Sequence, residues 1–334
     1  PTASFFSNAP VCQDAVVNFT NTGSTGSQYS FFWDFGPGAA PATSTQENPA
    51  GIFYTTAGTK TVTFTISGGN CSATTTQAVT INQTPVANLT STAPSCTGDS
   101  VSFANTGTTG AAYSWDFGSG AAPATSSTEN PSGIIYSSAG IKSVKLVTTL
   151  GLCVDSVTQT ININQTPAPS FSVVADACEG TAINFTYTGT SDTNWTYQWN
   201  FGAGANPSGS TIQNPVGIMY SGVGSKTVTL TVLTGTCTET FVQSHTILQT
   251  PVASFTSFSS YCTGDSVDFQ NTGTTGAVYS WNFGSGASPA TDTVENPQNI
   301  VYSTPGIKTV QLVTALGTCA DSITQTVNLT ETPA

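Results

Sequence analysis

Hydrophobic residues occupy every second position through long stretches of this chain, and the alternation restarts at a fixed interval. Val101 and Phe103 alternate with Ser100, Ser102 and Ala104, and Tyr113, Trp115 and Phe117 with Ser114 and Asp116. Val144 and Leu146 alternate with Ser143 and Lys145, and Ile161 and Ile163 with Thr160, Asn162 and Asn164. Successive side chains of a strand point to opposite faces, so a period of two marks half-buried antiparallel strands. The pattern returns at Val62, Phe64 and Ile66, at Val228, Leu230 and Val232, and at Val310 and Leu312. Clusters of Gly, Pro, Asn and Ser separate the runs. No amphipathic helical pattern is present. About seven short strands in each stretch of about 83 residues predict an all-β chain of four tandem immunoglobulin-like β-sandwiches.

Cysteines mark the same repeat, two per unit: Cys12 and Cys71, Cys96 and Cys153, Cys178 and Cys237, Cys262 and Cys319. Thr-Pro junctions at Pro85, Pro167, Pro251 and Pro333, with Pro1 in the equivalent place, are spaced by steps of 84, 82, 84 and 82 residues. The units are therefore read as 1–84, 85–166, 167–250 and 251–334. Units two and four share Gly-Asp-Ser-Val and Leu-Gly-x-Cys, so the alternating pair reads as a duplicated block. The first and last residues stand in the same repeat phase, from which an interior piece of a longer array is expected.

Even cysteine numbers at regular spacing predict disulfides and an oxidising compartment. Two cysteines almost 60 residues apart, without a CxxC or a nearby His, do not make a zinc site. Pairing within each unit is the expectation. It would close loops of 57 to 59 residues, stabilise by roughly 4 kcal/mol on a chain-entropy argument, and pin one end of each sandwich. Domains this small bury a modest fraction of their surface and need such help.

A second set of motifs runs in phase with the cysteines. Trp33-Asp34-Phe35-Gly36-Pro37-Gly38 recurs at Trp115–Gly120, Trp199–Gly204 and Trp281–Gly286, with Asn200 and Asn282 replacing Asp in the last two. Each copy is followed by Asn-Pro (Asn48, Asn130, Asn214, Asn296), by a Tyr (Tyr54, Tyr136, Tyr220, Tyr302) and by Gly-x-Lys-x-Val. This resembles the PKD (polycystic kidney disease) domain family, whose hallmark is Trp-Asp-Phe-Gly-Asp-Gly, then Asn-Pro, then Tyr and Gly-x-Tyr-x-Val. The resemblance covers all four units. The second acidic residue of the hallmark is absent here (Pro37, Ser119, Ala203, Ser285), as is the strand tyrosine (Lys60, Lys142, Lys226, Lys308). The first departure removes a carboxylate from any cation site in that turn. The cysteine-bearing variant looks like the PKD-like repeats of large surface proteins in gliding and other Bacteroidota. That likeness implies an exported, adhesive, array-forming protein.

Composition narrows the chemistry. Charged residues make up 7% of the 334, with five Lys, no Arg, one His and a net charge of −12. Without a basic patch, binding to nucleic acid lacks its electrostatic attraction. No apolar run reaches the roughly 18–20 residues of a membrane-spanning helix. His245 has no Ser or Cys motif beside it and reads as a packed or solvated imidazole rather than a triad member. The carboxylates recur by repeat, as Asp99 and Asp265 do, and reside in no pocket-forming insertion. No catalytic residue, cofactor or metal is expected. The four hallmark Trp residues read as core. Trp195, in the inserted segment Ser191–Trp195, is the candidate for stacking on a sugar. An isopeptide crosslink among Lys60, Glu47, Asn48 and their equivalents would need an inward-facing Lys; without one these residues read as turn and cap positions. Asp-Ser/Thr-aliphatic triplets at Ser100, Ser156, Ser266, Thr293 and Ser322 look like the O-glycosylation sequon of Bacteroidota.

The joins, such as Asn82-Gln83-Thr84-Pro85-Val86, hold no flexible Gly/Ser run. Proline fixes its own φ and keeps its predecessor extended, so an elongated, stiff rod is predicted, with about 40 Å per sandwich and about 160 Å for four. Taken together, these features predict a non-enzymatic, extracellular, cell-surface segment: a stalk or filament portion of an adhesin. Its partners would be neighbouring repeats of the chain, surface polysaccharide or other cell-surface proteins. The alternative is a spacer or carbohydrate-binding accessory region of a secreted polysaccharide-degrading enzyme.

Overall fold

The predicted runs of alternation are realised as strands, except that Ser102 splits its run into two strands and Phe117 lies just past the end of the strand Ala112–Asp116. A computed structural model describes residues 1–257 and 261–331, and none of these residues is helical. The Thr332-Pro333-Ala334 junction lies outside the described residues. The chain divides into two compact units, Pro1–Thr166 and Pro167–Ala334, and each holds two sandwiches.

The first sandwich contains β1 (Phe5–Ser7), β2 (Val11–Cys12), β3 (Phe19–Asn21), β4 (Ser30–Asp34), β5 (Ala39–Ala40), β6 (Thr43–Ser44), β7 (Phe53–Tyr54), β8 (Gly58–Gly68) and β9 (Cys71–Asn82). One sheet has the order β2-β9-β8-β4-β6. Its centre is the long hairpin β8–β9, paired from Gly58↔Ile81 to Gly68↔Cys71. The opposite face is made by β1–β3 and β5–β7, bridged at Val17↔Ile52. The other three sandwiches repeat the five-stranded order, with hairpins Gly140–Leu150/Cys153–Asn164, Gly224–Thr234/Cys237–Leu248 and Gly306–Leu316/Cys319–Thr330. Each has its own aromatic and aliphatic core.

The hallmark Trp residues lie at the centre of those cores. Trp33, Trp115, Trp199 and Trp281 are at most 4% exposed. Each indole N–H donates to a backbone carbonyl 2.9 Å away, on Gln46, Thr128, Ile212 and Val294 respectively. Trp33 stacks on Phe64 with ring centroids 3.7 Å apart. Such packing, with the N–H partnered, is how an indole is buried at low cost. The motif tyrosine closes the same region from the other sheet: Tyr54 donates its hydroxyl to the Phe35 carbonyl at 2.9 Å. Burial, with a smaller contribution from Asp34, pushes that phenol up to about 12.

The Phe-Gly step of the motif has a steric cause. Gly36 and Gly118 have φ of 76° and 77°. A Cβ at Gly118 would lie 2.6 Å from the Ser143 carbonyl oxygen. Asp34 and Asp116 accept the amide hydrogen of that glycine at 2.9 Å. Asn200 and Asn282 accept it equally well, which is why Asp and Asn exchange there.

One core position separates the even-numbered sandwiches from the odd. Thr148 and Thr314 are fully buried, and neither hydroxyl has a hydrogen-bond partner. Ile66 and Val232 hold the same register opposite Phe31 and Tyr197, as Thr148 and Thr314 do opposite Tyr113 and Tyr279. A buried, unpaired hydroxyl costs about 1–3 kcal/mol. Thr148→Val should therefore raise the stability of the second sandwich by that order, seen as an upward shift of its denaturation midpoint. A fall would show that the hydroxyl is partnered.

Candidate functional site

The two cysteines of one sandwich sit at opposite ends of it. Cys12 on β2 pairs in parallel with Asn82, the last residue of β9. Cys71 is the first residue of β9, at the turn of the long hairpin. Eleven strand residues therefore separate the two positions, about 36 Å. A disulfide needs Cα atoms within about 7 Å. Each sandwich thus has a trailing-end cysteine, first in sequence, where the chain leaves for the next join, and a leading-end cysteine on the hairpin. The other sandwiches share this layout, with Cys96↔Asn164, Cys178↔Leu248 and Cys262↔Thr330 at the trailing ends.

The bonds form between neighbours. Cys12 of the first sandwich is bonded to Cys153 of the second, and Cys178 of the third to Cys319 of the fourth. Both bonds have a Cα–Cα distance of 5.7 Å and a sequence separation of 141. Cys96 and Cys237 are disulfide-bonded as well. Cys71 and Cys262 are free thiols. The expected pairings Cys12/Cys71, Cys96/Cys153, Cys178/Cys237 and Cys262/Cys319 are overturned, because the length of β9 and of its counterparts holds each such pair apart. Constant spacing within a unit favoured pairing there; the parallel β2–β9 contact, invisible in the spacing, decides against it.

The bond reinforces a join that is already tied at both sides. Before the proline, the Gln13 amide donates to the Asn82 carbonyl at 2.9 Å. The Thr84 hydroxyl donates to the Gln13 carbonyl at 3.2 Å. After the proline, the Val86 amide donates to the Thr108 hydroxyl at 2.8 Å, and Thr108 returns its amide to the Val86 carbonyl at 2.9 Å. Gly107 makes the second tie possible, since a Cβ there would sit 2.0 Å from the Val86 oxygen. The join between third and fourth sandwiches repeats this with Thr250 on the Glu179 carbonyl and Val252 on Thr274. Thr-Pro is thus a fastened connector.

The remaining candidates take structural places. Lys60, Lys142 and Lys308 are buried, contrary to the expectation that no Lys faces inward. Lys60 Nζ meets the Thr56 hydroxyl at 2.8 Å and lies 5.8 Å over the Tyr54 ring. Lys142 and Lys308 repeat the arrangement with Ser138 and Tyr136, and with Thr304 and Tyr302. The apolar stem fills core while the ammonium is held by a hydroxyl and an aromatic face. Crosslinking would need a carboxyl or amide carbon at the amine, and a hydroxyl and a ring stand there instead. Asn48 accepts the Asn21 amide hydrogen at 2.9 Å and so ties the Asn-Pro turn to β3. Trp195 is half-buried against the third core. A shallow hollow on the third sandwich is lined by Gln198, Asn200, Thr211, Thr229 and Thr231 and by no titratable side chain. No cluster of His, Cys, Asp or Glu among the described residues could hold a metal ion. Ser100, Ser156, Ser266, Thr293 and Ser322 are all exposed.

His245 is 5% exposed, packed on the Phe185 and Tyr220 rings, and neither ring nitrogen has a hydrogen-bond partner. Lys226 lies opposite it on the adjacent strand. Burial pulls its pKa below the ordinary 6.5, against a weaker upward pull from Asp176. The folded state therefore binds fewer protons than the unfolded state below that pH. The stability contributed is fully present above about pH 6.5 and is lost as pH falls below it. The third sandwich should lose denaturant resistance as pH falls below about 6.5. His245→Val, which installs the residue type of Val79 and Val327, should flatten that dependence; an unchanged slope would reject the assignment.

With this geometry in view, the family model for the PKD domain matches residues 1–81 and 164–247. Among solved structures, the chain is similar to the ICAM-5 D1–D4 ectodomain fragment at 9% identity, covering 98% of this chain and 100% of that one, with a TM-score of 0.44. It is similar to the titin I-band fragment I67–I69 at 13% identity, covering 74% and 98%, with a TM-score of 0.41. The three N-terminal domains of the bacteriophage RB49 Hoc protein match at 14% identity, covering 74% and 98%, with a TM-score of 0.33. No curated protein matches the chain by sequence.

Proposed function

We propose that this chain is a non-enzymatic, extracellular PKD-repeat segment that transmits tension, a stalk or filament portion of a cell-surface adhesin. The carrying observation is the connectivity of Cys12–Cys153 and Cys178–Cys319. A covalent path runs from Cys12 straight to Cys153, and another from Cys178 straight to Cys319, so most of each sandwich pair hangs outside the line of force. Disulfides persist in oxidising compartments, which supports a location outside the cytoplasm. The Phe-Gly-x-Gly motif with paired cysteines supports kinship with surface repeats of Bacteroidota, and the exposure of the five Asp-Ser/Thr hydroxyls is compatible with O-glycosylation there.

The test is direct. The 334-residue chain on a glycan array and in pull-downs with polysaccharide should retain nothing saturably, as a load-bearing spacer would. Saturable retention of one glycan class, lost in Trp195→Ala, would transfer the reading to a carbohydrate-binding accessory region.

A further inference from the structure

Cys71 and Cys262 are the two cysteines that the staples within this chain leave unused, and they are the ones a continuing pattern requires. Cys71 is a leading-end cysteine of the first sandwich; Cys262 is a trailing-end cysteine of the fourth. We propose that both are joining sites: Cys71 bonds the trailing-end cysteine of a sandwich placed before it, and Cys262 the leading-end cysteine of one placed after it.

Backbone geometry, exposure and the spacing set by the repeat agree with this. The backbone at each free thiol already has the bonded frame. Cys71 pairs with Gly68 as bonded Cys153 pairs with Leu150 and Cys319 with Leu316. Cys262 pairs in parallel with Thr330 as bonded Cys12 pairs with Asn82, and the Thr263 amide donates to the Thr330 carbonyl at 2.9 Å as Gln13 does to Asn82. The second observation is exposure: Cys153 and Cys319 are at most 1% exposed in their staples, whereas Cys71 is exposed. The third is register. If a copy of the chain follows in phase, with Pro1 directly after Thr332, then 70 residues run from Cys262 to the join and 71 more to Cys71. The separation is 141, the value of both staples.

Bond formation removes two electrons and two protons from the thiol pair. The oxidant is a disulfide. One thiolate attacks it and displaces a thiol, giving a mixed disulfide; the second thiolate attacks that and releases the other thiol, so the oxidant's S–S bond ends as two thiols. The adjoining sandwich can belong to the same polypeptide or to a second copy, and the chemistry is the same. The inference deepens the tether reading, yet it rests on disulfide geometry alone, so binding of a glycan would leave it standing.

Two arms test it. A tandem chain, residues 1–332 followed by 1–334, is produced in an oxidising compartment, its free thiols are titrated, and its bonded peptides are mapped. The expected result is a bond from Cys262 of the first copy to Cys71 of the second, with two free thiols per molecule rather than four. Cys71→Ser in the second copy should restore a free Cys262 without disturbing Cys12–Cys153. The single chain is incubated with glutathione disulfide in parallel. Disulfide-linked multimers that vanish in both Cys71→Ser and Cys262→Ser assign the bond to separate copies as well; monomer alone beside a bonded tandem chain assigns it to one polypeptide. Four free thiols in a tandem chain whose Cys12–Cys153 and Cys178–Cys319 bonds have formed would overturn the proposal.

Discussion

Pulled from its two ends, the oxidised chain should reach no more than about 190 Å, and the same chain after reduction about 1,150 Å, at about 3.3–3.6 Å per extended residue. The sixfold difference follows from connectivity. With Cys12–Cys153 and Cys178–Cys319 closed, the shortest covalent path uses residues 1–12, 153–178 and 319–334, which is 54 of 334. The 140 residues from 13 to 152, and the 140 from 179 to 318, can unfold without lengthening that path. Force spectroscopy with handles at the termini reads this as an early rise in force without domain-sized steps. Adding a reductant should bring back the sandwich-unfolding steps. Steps of full sandwich length in the oxidised chain would contradict the bypass.

Trp115→Ala should cost the second sandwich about 3–5 kcal/mol, the range for truncating a buried aromatic. That is comparable to the whole stability of many small domains. The indole is 1% exposed, stacks beside Phe117 and Phe103, and has its N–H held by the Thr128 carbonyl. Its removal leaves a cavity between the sheets and an unpaired carbonyl. Hydrogen exchange should show lost protection across Ala112–Asp116 and Gly140–Leu150, while Thr196–Asn200 and Val278–Asn282 keep theirs. Trp195→Ala, at a half-buried ring on the edge of the third core, should cost much less. Equal losses from the two substitutions would mean that the hallmark Trp does not anchor its sandwich.

Strand positions and core residues were legible in the sequence because a sheet with one buried face writes its period into the chain. Val144, Leu146, Ile161 and Ile163 alternate with polar residues, and all four face the core. The hallmark Trp residues could be assigned to the core from their size and their recurrence in phase. The lysines could not, because a charge at a strand position reads as solvent-facing. Only the geometry of Lys60 over Tyr54, beside the Thr56 hydroxyl, shows how the ammonium is kept while the stem is buried. Thr148 and Thr314 were hidden for the same reason, as hydroxyls standing at core register.

The cysteines show most clearly what a sequence conceals. Their spacing is regular within each unit, and regularity points inward, to pairing within that unit. What decides the matter is which end of the sandwich each cysteine occupies. That depends on a two-residue parallel contact, Val11↔Ile81 and Cys12↔Asn82, too short to leave a pattern. Once the ends are known, only cysteines across a join can meet, and the 141-residue separation follows from the repeat itself.

Disulfide mapping tests this account most directly. The monomeric 334-residue chain, alkylated without reduction and cut at aromatic residues, should yield a peptide pair joined through Cys12 and Cys153 and another through Cys178 and Cys319, with Cys71 and Cys262 alkylated. A pair joined through Cys12 and Cys71, or through Cys262 and Cys319, would contradict it.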